Sequence, residues 1–319
     1  MPARRPFRFG IINEQMGDAA AWIARARHAE ALGYATFLLR DHFVTEPFGD
    51  QFAPFVALTA AACATTTLRV GTLVFDNDYR HPVILAKEAA TLDLLSGGRL
   101  ELGIGAGWLR AEYEAAGMAY DPNGVRVDRL AEALTVIKGL FADEPLTFTG
   151  EHYRVTNLAS FPKPIQRPGP PFLIGAGKRR MLQLTGRHAD IVGFLTTSVV
   201  SGALHDDPTE RLAAAVEQKI AWVREGAGAR FDTIELSLIP AIIITDDRQG
   251  ATERLIREHA WSGISPEQVR EMPAVLIGTI AEIIATLQAR RERYGFSYYV
   301  IADAQLDACA PLVKALAGR

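Results

Sequence analysis

Uninterrupted apolar runs alternate with longer amphipathic stretches along most of the chain. FRFGIIN (7–13) has the continuous hydrophobicity of a buried strand, and a helix is expected from about Asp18 to Leu32, closed by Gly33. TFLLRDH (36–42) is the second strand, followed by a helix over about 52–65. RVGTLVF (69–75) is the third, with a helix from His81 to Leu95 ended by Ser96-Gly97-Gly98. RLELGIGAG (99–107) is the fourth, and a helix follows from about Val125 to Phe141. The rhythm then breaks: TFTGEHYRV (147–155) reads as a hairpin and PKPIQRPGPP (162–171) as a proline-rich connector. It resumes with PFLIGAG (171–177), a helix over 178–188 and ADIVGFL (189–195). A polar stretch, TTSVVSGALHDDP (196–208), forms a second insertion. A helix over 209–225, a strand IELSLIPAIIIT (234–245), helices through 251–293, a strand YYVIAD (298–303) and a final helix complete the chain.

Strands this apolar, each followed by a helix, call for a parallel sheet covered by helices. Eight such units close most economically as an α/β (β/α)8 TIM barrel with insertions after strands 4 and 6, one domain over 1–319. A doubly wound open sheet is the competing arrangement. In a barrel, chemistry gathers where strands end and helices begin.

Composition narrows the function. A net charge of −3 without a basic block argues against nucleic acid as the main partner. The two cysteines, Cys63 and Cys309, lie far apart and suit a reducing cytoplasm. MPARRPFRFG carries too short an apolar stretch for a signal peptide, and no run approaches membrane-spanning length.

GGRLELGIGAGW (97–108) looks like a dinucleotide-binding loop, but Trp108 or Arg110 occupies the place of the third glycine of G-x-G-x-x-G. At the end of the fourth strand, these glycines are expected to bring backbone close to a flat ligand over the barrel mouth. The other polar strand ends are Asn13-Glu14-Gln15, Asp41-His42, Asp76-Asn77-Asp78 and Gly175-Ala176-Gly177-Lys178-Arg179. No metal is expected, since only His42 sits at a strand terminus, and neither a G-x-S-x-G elbow nor a strand-end cysteine offers a nucleophile. LIGAGKRR (173–180), a glycine-flanked turn opening a helix, is the phosphate candidate, the alternative being a plain strand-to-helix turn. His42 is either a general acid or base or a strand cap. His81, before Pro82 at a helix start, reads as structural; His28, His152, His188, His205 and His259 read as lacking partners. Glu112 and Glu114 read as a solvated helix face. Trp108 reads either as a wall of the pocket or as core packing, its place after a glycine run favouring the wall.

The succession RDHF (40–43), GTLVFDNDYRHP (71–82), LDLLSGGRLELGIGAGW (92–108), TGEHYRV (149–155), PKPIQRPGPPFLIGAG (162–177) and GRHADIVGF (186–194) resembles the luciferase-like monooxygenase superfamily, most closely its coenzyme F420-dependent oxidoreductase branch. The resemblance implies a usually dimeric (β/α)8 enzyme moving a hydride between F420 and a small organic substrate. The alternatives are an FMN-dependent monooxygenase using oxygen and a partner flavin reductase, and a cofactor-binding protein without turnover. It also implies a deazaflavin ring near Asp41, His42, Leu73, Val74, Asp76 and the Gly105-Ala106-Gly107 backbone, with its phosphate at Gly175, Ala176, Gly177 and Lys178. His42 would handle a proton, and Glu14 and Trp108 would face the substrate. The third strand is expected to end in a non-prolyl cis peptide between Leu73 and Val74. The glucose-6-phosphate dehydrogenases of the branch carry a glutamate where this chain has Trp108, which counts against sugar phosphate oxidation and against a second carboxylic acid catalyst.

Overall fold

The computed structural model describes residues 5–319; the start of MPARR falls outside them. Eight parallel strands form the barrel: Arg8–Ile12, Thr36–Leu39, Arg69–Thr72, Leu100–Gly105, Phe172–Ala176, Ile191–Phe194, Glu235–Leu238 and Phe296–Ala302. Each pairs with the next, and the eighth returns to the first through Arg8↔Tyr298 to Ile12↔Ala302, so the sheet closes. Closure explains the continuous hydrophobicity of the strands: one face meets the helices and the other the barrel interior.

The interior is filled by Ile12, Leu38, Leu173, Ile191, Tyr298 and Val300, with the partly buried Leu73 and Val74 above them. At the opposite end Glu101, 1% exposed, binds Arg8 and Arg69 and accepts from the Tyr298 hydroxyl at 3.3 Å. Burial pushes that carboxyl up, but the two guanidiniums hold it below its ordinary range. The charged plug closes the N-terminal end, leaving the C-terminal end as the open mouth.

Helix boundaries follow local chemistry. Asp18 caps Ala19–Ala31 by accepting from Ala21 N at 2.8 Å, and Gly33 takes φ +84° after it. His81 caps Pro82–Leu95, its Nδ1 accepting from Val83 N at 3.3 Å, which is the structural role expected of it. The hairpin after strand 4 pairs Leu146–Thr149 with Arg154–Leu158, and the insertion after strand 6 carries a hairpin of Ser198–Val200 with Ala203–His205.

Three expectations need correction. The run 234–245 is not one strand: it ends at Leu238, and Pro240 separates it from Ala241–Ile244, which pairs with Val275–Gly278 in a second sheet outside the barrel. Proline lacks the ladder N–H and restricts the residue before it, so the apolar run cannot continue as a single strand. A strand therefore stands at 275–278, inside the stretch read as helical, and a third insertion follows strand 7. This lobe has its own core of Ala251, Leu255, Trp261, Val269, Met272 and Ile277. Nor are all the remaining histidines isolated: His28 pairs with Asp307 and His259 with Asp206, both at 2.6 Å. Among the described residues no helix is long and apolar enough to cross a membrane.

Candidate active site at the barrel mouth

The second strand delivers Asp41 and His42 to the mouth. The His42 ring is 11% exposed and directs Nδ1 at Glu112 Oε2, 2.8 Å away. Glu112 is not on a solvated face. It lies 1% exposed on the short helix Arg110–Ala115, and only Glu114 points outward. Oε1 accepts from the backbone N–H groups of Phe43 and, at 3.2 Å, Val44, while Oε2 also accepts from the Tyr79 hydroxyl at 3.1 Å. Burial pushes this carboxyl up, but the donors from His42, Phe43 and Val44 outweigh it and hold it below its ordinary range. A carboxylate facing Nδ1 keeps the proton there, so the neutral ring carries its lone pair on Nε2, where no protein partner lies among the described residues.

Trp108 is half-buried and meets the His42 ring edge-on at 5.8 Å; Phe48 meets both rings at 5.5 and 6.1 Å. The three rings form an apolar wall beside the free nitrogen. Glu14 is committed elsewhere, accepting from Arg40 at 2.6 Å, and that guanidinium stacks over Phe48 at 3.9 Å. Arg40 Nε and Asn13 Oδ1 are buried at the same strand ends without partners.

Behind this wall sit the acids. Asp41 is 5% exposed, forms a two-pronged pair with Arg80, and accepts from Asp76 N at 3.2 Å. Asp76 faces Tyr113, whose hydroxyl donates to Oδ2 at 2.7 Å, and it accepts from Asp78 N at 2.9 Å. Burial, with some help from Asp78 and Asp41, raises the Asp76 carboxyl to about 7 despite the Tyr113 hydrogen bond. The peptide between Leu73 and Val74 is cis, as expected.

The glycine run answers to the protein's own packing. A Cβ on Gly103 would meet Thr72 O at 1.8 Å, one on Gly105 Val74 Cγ2 at 2.8 Å, and one on Gly107 the Tyr113 hydroxyl at 1.9 Å. Gly107 also takes φ +71°. These glycines admit the interrupted third strand and the Asp76–Tyr113 pair. The carbonyls that follow are held from behind: Arg126 donates to Ala106 O and Gly107 O, and the Tyr120 hydroxyl to Trp108 O at 3.0 Å.

At the fifth strand end the space is open. A Cβ on Gly175 would meet only the Val74 methyls, at 3.8 Å. The helix Arg179–His188 begins after Lys178 with no side-chain cap, leaving its first N–H groups without that partner. Ala176 is buried and its carbonyl accepts from Leu195 N at 2.8 Å. Lys178, 61% exposed, binds Glu210 Oε1 at 2.5 Å and Ser198 Oγ at 3.2 Å.

Of the residues expected from sequence, Asp41, His42, Leu73, Val74, Ala106, Gly107 and Trp108 come together around one mouth, with Gly175, Ala176, Gly177 and Lys178 on its far rim. The carboxylates of Glu14 and Asp76 are bound by the protein itself. Glu112, Tyr113, Arg126 and Glu210 escape sequence reasoning.

A closed parallel barrel with an imidazole backed by a buried carboxylate beside a half-open apolar floor defines an enzyme-like site. The chain belongs to the luciferase-like monooxygenase family, whose model matches residues 6–295. It is 32% identical, over 82% of its length and 75% of the relative's, to a Nakamurella multipartita protein named F420-dependent glucose-6-phosphate dehydrogenase. Its fold is that of the coenzyme F420-dependent tetrahydromethanopterin reductase of Methanopyrus kandleri (TM-score 0.74, 20% identity, 97% of each chain). It is equally similar to an F420-dependent secondary alcohol dehydrogenase in complex with an F420–acetone adduct (TM-score 0.75, 18% identity, 98% and 99% of the chains).

Proposed function

We propose that this chain is an oxidoreductase that moves a hydride between coenzyme F420 and a small organic substrate. The observation that carries the reading is His42, fixed through Nδ1 by buried Glu112 and free at Nε2, beside the half-open Leu73–Val74 floor. The donor set fits the cofactor. Leu73, Val74 and the Cβ-free surface of Gly175 offer an apolar bed for a flat ring, Asn13 Oδ1 and Arg40 Nε are buried polar atoms awaiting partners, and the uncapped turn Gly175–Lys178 suits a phosphate. When bound, the deazaflavin supplies the hydride chemistry; the protein contributes placement, dryness and proton handling.

His42 Nε2 accepts the proton released as an alcohol is oxidised, or returns it to a carbonyl as it is reduced, and Glu112 stabilises the imidazolium through Nδ1. Glu112 is a positioning residue here. Trp108 and Phe48 exclude water from that proton and give the substrate an apolar wall. Glu14 and Arg40 pair with each other at 2.6 Å, so neither offers an uncompensated charge to a sugar phosphate. Relatives named glucose-6-phosphate dehydrogenase therefore do not dictate this substrate.

The same reading takes residues 1–319 as one domain, in the cytoplasm, and as a homodimer. Helix Pro54–Ala64 carries no charged residue, yet Val56 is 75% exposed and Cys63 is also on its outer face. Helices apolar all round are ordinarily buried, and an uncharged face meets its own copy without repulsion. Val56→Asp should then yield a monomer by light scattering.

Titration of purified protein with F420 and with FMN tests the function. Tighter binding of F420, with His42-dependent reduction or oxidation of the deazaflavin, is expected. Preference for FMN with oxygen-consuming turnover would replace it with the flavin monooxygenase reading.

A further inference from the structure

Glu210 lies in the insertion after strand 6, on the turn Pro208–Arg211, and bridges two ammonium groups: Oε1 is 2.5 Å from Lys178 Nζ and Oε2 is 2.9 Å from Lys219 Nζ. The two lysines differ. Lys219 is 2% exposed and enclosed by Leu195 O at 3.0 Å and Glu210 O at 3.2 Å, so Glu210 is the carboxylate that compensates a buried cation. Lys178 is 61% exposed at the rim of the turn assigned above to the phosphate.

We propose that Glu210 is an internal counter-charge that Lys178 exchanges for the cofactor's phosphate, which makes it a determinant of cofactor affinity. The inference rests on the phosphate placement of the proposed function. A carboxylate whose two oxygens serve separate partners can release one ammonium without abandoning the other. When the phosphate arrives, Lys178 turns to it, while Glu210 stays with Lys219, whose burial makes its own loss far more costly. The unliganded turn is thereby kept from presenting a bare cation to every passing anion. The loss of the exposed pair is set against the gain of a phosphate contact, so affinity is lower than an unopposed lysine would give.

The test compares F420 with its phosphate-free deazaflavin core by fluorescence titration on the intact protein. Glu210→Gln removes the competing charge and keeps the side-chain length. F420 should bind about two- to fivefold tighter, the range of an exposed ion pair, with the core unchanged. The gain should vanish near ~1 M salt, where such a pair is screened. Glu210→Asp, too short to bridge both lysines but still charged beside Lys219, should gain as well, and covers the case where the glutamine variant unfolds. Unchanged or weaker F420 binding in both variants, or equal changes for F420 and core, overturns the proposal. If the wild-type protein binds F420 and core equally, the phosphate placement itself is wrong and the exchange falls with it. If it favours F420 while the variants do not differ from it, only the exchange fails.

Discussion

Glu112→Gln changes one atom's identity at a site where four hydrogen bonds converge, and its outcome can be worked out in advance. In the native site, Oε1 serves the backbone N–H groups of Phe43 and Val44, and Oε2 serves His42 Nδ1 and the Tyr79 hydroxyl. A glutamine retains a single carbonyl oxygen. Leaving a buried N–H unpaired costs about 1–3 kcal/mol, so the carbonyl is expected to face the two backbone donors. The amide NH2 then faces His42 Nδ1, which must accept, and the ring proton moves to Nε2. The variant thus keeps its fold and cavity but offers the substrate the wrong tautomer. Loss of charge-assisted bonds should lower stability by about 1.5–3 kcal/mol, measured by urea denaturation. Single-turnover hydride transfer should slow by about 10²–10⁴-fold with little change in cofactor affinity. A substrate-independent readout is the ¹⁵N spectrum of the neutral His42 ring, with Nδ1 protonated in the native protein and Nε2 protonated in the variant. Native protein with the proton on Nε2, or a variant that keeps Nδ1–H, would refute the reasoning.

Three further outcomes follow from the same geometry. His42→Ala should cost about 10²–10⁴-fold in single-turnover rate and far less in F420 affinity; an unchanged rate would reduce His42 to a strand cap. Gly175→Val should leave thermal stability nearly unchanged, because a Cβ there meets only Val74 at 3.8 Å, yet block F420 binding; Gly177→Val is a poorer probe because its Cβ would press Leu195 at 3.1 Å. Asp76→Asn addresses pH. A carboxyl raised to about 7 in the folded state and near ~3.9 when unfolded makes the folded protein bind the extra proton between those values, so stability falls as pH rises from about 4 to 7. The asparagine variant should therefore gain on the native protein between pH 5 and pH 8, and an equal urea-midpoint difference at both pH values would contradict the shift.

Much of the barrel was legible because its strands are apolar on both faces and its helices carry their own punctuation, as Asp18, Gly33 and Pro82 illustrate. The misreading at 234–245 has a physical source. IELSL and AIIIT are both strands, and hydrophobicity alone does not reveal that Pro240 sends them to different sheets. The strand Val275–Gly278 was hidden by helices on either side of it. Within the site, residues at strand ends were legible because topology alone carries them to the mouth. Glu112 was not, since Arg110–Ala115 is a six-residue helix with two glutamates, and which one turns inward depends on where Gly107 aims the chain. Glu210 and Lys219 were out of reach for a similar reason: the Glu210 carboxylate, by binding Lys178 and Lys219 at once, joins a turn, a strand end and a helix that only the closed barrel brings together.

That short helix also explains why the glycines precede it. Glu112 and Tyr113 are consecutive, so their side chains leave the helix in different directions: one fastens His42 at the end of the second strand, the other Asp76 at the end of the third. Both reach their partners only if the fourth strand turns sharply at its end, and Gly107 provides the turn at φ +71° while leaving room for the Tyr113 hydroxyl, which would lie 1.9 Å from a Cβ. Arg126 then pins the carbonyls of Ala106 and Gly107 from outside. The run GIGAGW is accordingly a device for joining three strand ends rather than a nucleotide loop. It sets the imidazole by way of a carboxylate on a neighbouring element, and the precision of the proton-handling nitrogen depends on backbone conformation at a residue that never touches it. A methyl group at position 107 should therefore disturb His42 and Asp76 together, whereas one at position 175 should disturb neither.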